Sequence, residues 1–162
     1  MTPDQINEAL GIAFSLISKW EGLRLKPYLC PAGIPTIGYG STYYSDGTKV
    51  TLSDEAISKE EAEGLCRELV KRDFLPEVLD LCPTLETPQQ LGAVLDFAYN
   101  LGTGALKKST LRQVILNRNW AEVPTQLSRW TRSQGKILPG LVSRRADEIK
   151  VFKSCSPFNI KI

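Results

Sequence analysis

The segment KWEGLR at residues 19–24 ends a stretch that predicts one helix from Thr2 to Trp20. Apolar residues recur along that stretch at helical spacing, at Ile6, Leu10, Phe14 and Ile17. The segment PTIGYG at residues 35–40 predicts a short strand, and the turn-forming residues on both sides of it predict a small, irregular β lobe. Helical signals dominate the rest of the chain, so we expect an α+β fold that is mainly helical.

The chain is predicted to form a single domain made of four parts. These are a leading helix at 3–21, a β lobe at 25–52, a helical lobe at 58–152 and a tail at 153–162. In the helical lobe, Ser58 with Glu61 forms a capping box and starts a helix that should stop before Pro76. Thr87 starts a nearly all-apolar helix that belongs in the core and ends at Gly102. Shorter helical signals follow at 109–117, 120–130 and 139–152.

Glu21 is the residue whose chemistry stands out in this pattern. A carboxylate at the last turn of an apolar helix, beside Trp20, is poorly solvated, which disfavours its charged form. Such surroundings keep a carboxylic acid protonated near neutral pH, where it can act as a general acid in a cleft between the two lobes. The alternative is a helix-end glutamate in a surface ion pair with Arg24 or Lys26.

The composition excludes several classes of protein. Of the 162 residues, 42% are hydrophobic and 23% are charged, as in an ordinary soluble domain. No stretch approaches the roughly 18 apolar residues of a membrane span. The uncharged run at residues 9–18 is short and has no basic region before it, so we expect a cytosolic product without an export signal of its own.

The cysteines and the absence of histidine exclude several kinds of catalytic site. The four cysteines have no C-x-x-C spacing and the chain contains no histidine, which argues against zinc motifs and against Ser-His or Cys-His nucleophile pairs. They are Cys30, Cys66, Cys82 and Cys155. Free thiols are expected in a reducing cytosol, whereas one or two disulfides become possible outside it, and the sequence does not choose among the three full pairings.

Charge is divided unequally along the chain. Residues 1–100 carry 8 Lys and Arg against 15 Asp and Glu, whereas residues 101–162 carry 12 against 3. The basic half includes Lys107, Lys108, Arg112, Arg118, Arg129, Arg132, Arg144 and Arg145. This asymmetry favours a polyanionic partner, such as nucleic acid, an acidic membrane surface or an acidic cell-wall polymer. Attraction between two oppositely charged lobes is the alternative.

The spacing of three residues adds a more specific signal. Cys30 follows Glu21 by nine residues and Thr36 follows Cys30 by six, in the pattern E-x8-C-x5-T. Further landmarks are DFAYNLG at 96–102, STL at 109–111 and LPGLVSRR at 138–145. Together these segments, which span roughly residues 10 to 152, resemble the phage-type lysozymes. Those are the muramidases that lambdoid and T-even phages use to break host peptidoglycan.

The resemblance implies a role for each residue of the pattern. Glu21 matches the general acid of the family, and Thr36 matches the threonine that hydrogen-bonds the catalytic water. Cys30 stands where many members have an aspartate. It could activate water as a thiolate, make only a polar contact, or form half of a disulfide, which would remove its acid–base chemistry. No metal or organic cofactor is implied.

Substrate, partners and location also follow as expectations from the resemblance. The substrate would be the β-1,4 bond between N-acetylmuramic acid and N-acetylglucosamine. Tyr39 could stack on a sugar or be half-buried, and Asn100 could bind an N-acetyl group or cap its helix. A monomeric enzyme would accumulate in the host cytoplasm until a holin lesion released it to the wall in the periplasm. There are two rival hypotheses. One is a wall-binding relative that has lost catalysis, and the other is a nucleic-acid-binding module, although this sequence lacks the usual nucleic-acid-binding motifs.

Overall fold

The computed structural model describes residues 1–154, and within that range it contains eight α-helices and four short strands. The helices are α1 Pro3–Trp20, α2 Lys59–Leu69, α3 Leu75–Leu81, α4 Pro88–Leu101, α5 Thr103–Lys108, α6 Thr110–Leu116, α7 Val123–Ser128 and α8 Pro139–Lys153. The strands are β1 Arg24–Leu29, β2 Pro35–Gly38, β3 Arg132–Ser133 and β4 Lys136–Ile137. The predicted α+β fold is therefore confirmed, whereas most of the predicted tail and Cys155 lie outside the described residues.

Helix α1 leads directly to Glu21. Its first turn is closed by a capping box in which the Thr2 hydroxyl accepts the Gln5 N–H while the Gln5 side chain accepts the Thr2 N–H. At the other end, the Glu21 N–H donates to Ile17 O at 2.7 Å, and the Glu21 backbone is already extended. The predicted helix is confirmed, and Glu21 is the residue at which the chain leaves it.

The β lobe is a two-stranded antiparallel sheet that holds Thr36. Tyr28 pairs with Thr36 and Leu29 with Pro35, so the turn that contains Cys30 joins the two strands. Gly33, with φ of 76°, provides the left-handed conformation that this turn needs. Residues 49–51 form no strand, because pairing there is limited to an isolated bridge between Tyr43 and Lys49.

The Ser58–Glu61 capping box is confirmed, and its helix, α2, ends at Leu69, before Pro76 as predicted. After α2 the chain widens into a π-helical segment, Val70–Phe74, and continues as α3. Leu75 N–H donates to Val70 O across this wider turn. Pro76 then lies in the first turn of α3, where a missing N–H removes no hydrogen bond.

Helix α4 forms the centre of the core, as predicted. Thr87 caps its first turn and Gly102, with φ of 87°, ends it. The buried residues of α4 are Pro88, Gln90, Leu91, Gly92, Ala93, Val94, Leu95, Asp96, Phe97 and Ala98. A Cβ on Gly92 would lie 2.5 Å from Ile12 Cγ2, so glycine is needed for the close packing of α1 on α4.

The later helices enclose α4 and bring α8 against the end of α1. The predicted signals at 109–117, 120–130 and 139–152 correspond to α6, α7 and α8. Helix α8 packs against α4, α7 and α1. The sequence did not predict α3, α5 or the β3–β4 hairpin. Within residues 1–154, no helix combines the length and the hydropathy that a membrane span requires.

Candidate active site

Glu21 faces a buried guanidinium. Arg144, from the first half of α8, donates from Nη1 to Glu21 Oε1 at 2.6 Å. The Glu21 side chain is 30% exposed, whereas the Arg144 side chain is almost completely buried. One edge of the carboxyl group therefore meets the protein interior, and the remainder of it is open to solvent.

Asp96 holds the same guanidinium from the other side. Arg144 Nη2 donates to Asp96 Oδ1 at 2.6 Å, and Arg144 Nε donates to Asp96 Oδ2 at 3.0 Å. Asp96 is 0% exposed. Burial disfavours the charge on Arg144, yet hydrogen bonds and charge from Asp96, and then from Glu21, raise the pKa of Arg144 above its ordinary value. This two-point contact fixes the plane of the guanidinium and so fixes the third N–H that points at Glu21.

The prediction that Glu21 lies in mainly apolar surroundings beside Trp20 is wrong. The Trp20 indole Nε1 instead donates to Asp147 Oδ2 at 3.1 Å, on a different part of α8. The alternative partners Arg24 and Lys26 are not used either, since the ion pair of Glu21 is with Arg144. The physical reason is that α8 lies across the end of α1, which nothing in the local sequence indicates.

Cys30 carries a free thiol on the half-exposed turn between β1 and β2. Hydrogen bonding from the backbone at Ile34 is the largest influence on this thiol and lowers its pKa, against the smaller opposing effect of partial burial. Backbone contact with Ala32 and the side chain of Thr36 act in the same direction. A lowered pKa increases the thiolate fraction, which is the form that acts as a base or a nucleophile.

Thr36 lies next to Cys30 in the β lobe. Its side chain is 2% exposed, and its hydroxyl donates to Ile34 O at 2.9 Å. Ile34 O also accepts the Cys30 N–H at 3.0 Å, so this carbonyl stays paired if the Thr36 hydroxyl rotates toward the thiolate. The structure thus brings Cys30 and Thr36 together, while the side-chain contact of Glu21 is with Arg144.

A buried thiol and a phenol lie behind Glu21. Burial raises the pKa of Cys66 to about 11, a hydrogen bond with Tyr99 partly offsets this, and the charge of Glu21 adds to the increase. Burial likewise raises the pKa of Tyr99, with further contributions from Cys66 and Glu21. The Tyr99 hydroxyl donates to Tyr39 O at 2.8 Å. Both groups are therefore neutral near pH 7. Through their hydrogen bonds they link α2, α4 and the β lobe.

The family assignment rests on a match that spans this site. A family model described as phage lysozyme matches residues 18–148, which include Glu21, Cys30, Thr36, Asp96 and Arg144. The chain belongs to the phage lysozyme family. The resemblance identified from the sequence is thereby confirmed.

Individual relatives of this family member are endolysins. The chain is 36% identical over 146 residues to the endolysin of Bacillus phage B103, covering 90% of this chain and 54% of that protein. It is 32% identical to the endolysin of Acyrthosiphon pisum secondary endosymbiont phage 1, covering 86% and 93% of the two chains. The solved endolysin of Escherichia coli O157:H7 phage FAHEc1 is 28% identical, with a TM-score of 0.77 over 90% and 92%. The chain spans little more than half the length of its Bacillus phage relatives.

The side chains of Tyr39 and Asn100 each contact another residue of the protein. Tyr39 is 5% exposed and its ring packs edge-on against Phe14, with centroids 5.6 Å apart. Asn100 Oδ1 accepts a hydrogen bond from Arg145 Nη2 at 2.8 Å, and the helix cap is Gly102 rather than Asn100. Substrate binding by either residue stays a prediction.

The basic half of the chain is less basic at its surface than the sequence indicates. Arg144 and Arg145 are buried in ion pairs, so these two members of the basic half are not available to a polyanionic partner. Lys107, Lys108, Arg118, Arg129 and Arg132 remain exposed. The sequence gave no sign that Arg144 is buried, because its acidic partners Asp96 and Glu21 lie 48 and 123 residues away.

Two surface cavities lie away from these residues. One, of about 830 Å³, is lined by parts of α1, α2 and the π-helical segment, and the other, of about 610 Å³, lies between α1 and α8. Neither is lined by Glu21, Cys30 or Thr36. We therefore locate the candidate site from its chemistry: an acid in an ion pair at the end of α1, and a thiol with a lowered pKa in the β lobe that follows it.

Proposed function

We propose that this family member is an endolysin that hydrolyses the β-1,4 bond between N-acetylmuramic acid and N-acetylglucosamine in bacterial peptidoglycan. The observation that carries the proposal is the half-exposed Glu21 carboxyl group held by Arg144 against a buried Asp96. The endolysins that share its family and about a third of its residues support the same activity. The cell wall is accordingly its site of action, and release from the host cytoplasm would depend on a holin.

In this proposal Glu21 protonates the departing glycosidic oxygen. Arg144 contacts only one edge of the carboxyl group, which leaves Oε2 free to carry the proton toward the substrate. When the proton leaves, Glu21 becomes a carboxylate at 2.6 Å from a fixed guanidinium. The positive charge therefore stabilises the form of Glu21 that develops during bond cleavage, and it needs no reorientation to do so.

Cys30 and Thr36 supply the second half of the mechanism. A glycosidase of the common type needs a second group that activates water or attacks the sugar, and many relatives use a carboxylate at the position of Cys30. The lowered pKa of Cys30 gives the thiol part of the anionic character that a carboxylate would have. Thr36, whose hydroxyl can rotate away from Ile34 O, would hold the water that the thiolate activates.

The bond that is cleaved identifies the activity. Purified peptidoglycan would be digested, the new reducing ends reduced with borohydride, and the products separated by mass spectrometry. A muramidase leaves reduced N-acetylmuramic acid at the new ends. Ends on N-acetylglucosamine, or cleavage only at peptide or amide bonds, would refute the proposal. Binding to the wall with no new ends would identify a relative that has lost catalysis.

Changes at Cys30 should separate its three possible roles. If the thiolate activates water, Cys30→Ser should lower the hydrolysis rate by about 10²-fold or more, and Cys30→Asp should be the best-tolerated change. Alkylation should abolish activity, since Cys30 is half-exposed while Cys66 and Cys82 are buried with pKa values raised to about 11. A Cys155→Ser background would restrict the reaction to Cys30. Full activity of Cys30→Ala with an unchanged pH profile would contradict the catalytic role.

A further inference from the structure

Four ionisable side chains are buried together behind Glu21. Asp96 comes from α4, and Arg144, Arg145 and Glu148 come from α8. None of the four is more than 3% exposed, and Glu148 is 0% exposed. Arg145 Nη2 lies 2.8 Å from Glu148 Oε1, and the same nitrogen donates to Asn100 Oδ1 at 2.8 Å.

The hydrogen bonds of Glu148 are incomplete if it is treated as a carboxylate. Neither Glu148 Oε1 nor Oε2 has a hydrogen-bond partner, although Arg145 Nη2 lies 2.8 Å from Oε1, and Arg145 Nε and Nη1 are unpaired as well. An ionised carboxylate with no solvent and no hydrogen bond is among the costliest groups to bury. Besides Arg145, Asp96 lies within hydrogen-bond reach of Glu148, and this second carboxyl group cannot donate when ionised.

Charge balance points to the same solution. The cations are Arg144 and Arg145, and the anions are Asp96 and, once it has given its proton to the substrate, Glu21. At that step an ionised Glu148 would add a third anion, whereas a protonated Glu148 leaves the network neutral when Glu21 becomes a carboxylate. Helix α7, which also packs against α8, contributes no ionisable side chain between residues 123 and 128. Because Asp96 accepts two N–H groups from Arg144, Asp96 is the ionised member and Glu148 the protonated one.

We propose that Glu148 is a positioning residue that keeps its proton in the folded protein and donates it to Asp96. This leaves the Arg144 guanidinium shared between Asp96 and Glu21. An ionised Glu148 would repel Asp96 and compete for Arg144, which would weaken the contact that holds Glu21. Burial, with the opposing charge of Arg145 as the next influence, raises the pKa of Glu148 well above its ordinary value, in agreement with this assignment. The catalytic consequence rests on the proposed function of Glu21, but the protonation of Glu148 does not.

The stability of Glu148→Gln as a function of pH tests the protonation directly. Glutamine has the same shape and stays neutral, and its amide N–H can still donate to Asp96. Unfolded wild-type protein loses the Glu148 proton above a pH of about 4.3, while the folded protein keeps it. The wild-type folding equilibrium constant should therefore fall, relative to the variant, about tenfold per pH unit above that value until the folded-state pKa is reached.

Three further results make the test decisive. If the wild-type folding equilibrium constant, divided by that of Glu148→Gln, stayed constant or rose as the pH rose, the proposal would be overturned. Asp147→Asn, which removes a carboxylate one residue earlier, shows how much pH dependence comes from removing any acid from α8. Should Glu148→Gln fail to fold, infrared spectra of the wild type at neutral pH decide the question. A buried protonated carboxyl band is expected there, and its absence would refute the assignment.

Kinetics test the positioning role. Glu148→Gln should retain wild-type kcat and the wild-type pH profile. Glu148→Met cannot donate to Asp96, so Arg144 should shift toward Asp96, kcat should fall several-fold, and KM should stay unchanged. Equal activity of the two variants would overturn the positioning role. If the wild type itself showed no hydrolysis, the proposed function would fail, while the pH dependence of stability would still decide the state of Glu148.

Discussion

Glu21→Gln should lower the rate of peptidoglycan hydrolysis by a factor on the order of 10²–10⁴, the usual contribution of a general acid. Glutamine has the shape of the protonated acid but cannot give up a proton to the leaving group. Its side-chain oxygen can still accept the N–H of Arg144, so the end of α1 should keep its geometry. The rate should be measured as reducing ends formed per enzyme at saturating peptidoglycan.

Two controls restrict the interpretation of that loss. Glu8→Gln makes the same chemical change on an exposed part of α1 and should leave the rate unchanged. Thermal unfolding of Glu21→Gln should remain cooperative, which excludes loss of the fold as the cause. If Glu21→Gln kept more than a tenth of the wild-type rate, Glu21 would not be the general acid.

The sequence was most informative where structure depends on neighbouring residues. The helix that begins after Ser58 was predictable because the cap donor and acceptor lie three residues apart, and the structure contains both hydrogen bonds. Thr87 and Gly102 bounded α4 for similarly local reasons. The pattern that links Glu21, Cys30 and Thr36 identified the family, although it did not establish what surrounds each side chain.

The sequence was least informative where an interaction joins distant parts of the chain. Arg144 was counted among the basic residues that favour a polyanionic partner, and only the fold shows that Asp96 and Glu21 hold it in a buried ion pair. The continuation from α2 into α3 was not predicted, because the π-helical turn that joins them has no recognised sequence signal. The protonation of Glu148 depends on three groups from two helices, so no local pattern could have predicted it.

Arg144→Met should destabilise the protein by about 3–5 kcal/mol, the typical result of removing one partner from a buried ion pair. Methionine fills part of the space of the arginine side chain but provides no N–H. Asp96, which is 0% exposed and accepts two of its hydrogen bonds from Arg144, would then be left as an uncompensated buried charge. The free energy of unfolding should be measured by chemical denaturation at neutral pH.

A comparison within the same chain separates burial from charge as the cause of this loss. Arg118 pairs with Glu86 on the surface, with both side chains largely exposed, so Arg118→Met should cost only about 0–1 kcal/mol. Combining Arg144→Met with Asp96→Asn removes the buried charge and should recover part of the stability, because the two residues act as one unit. A loss at Arg144 no greater than that at Arg118 would contradict the ion pair as the link between α4 and α8. If the loss is large, Glu21 is held by a contact that the fold itself requires, and the acid keeps its orientation for as long as the core stays packed.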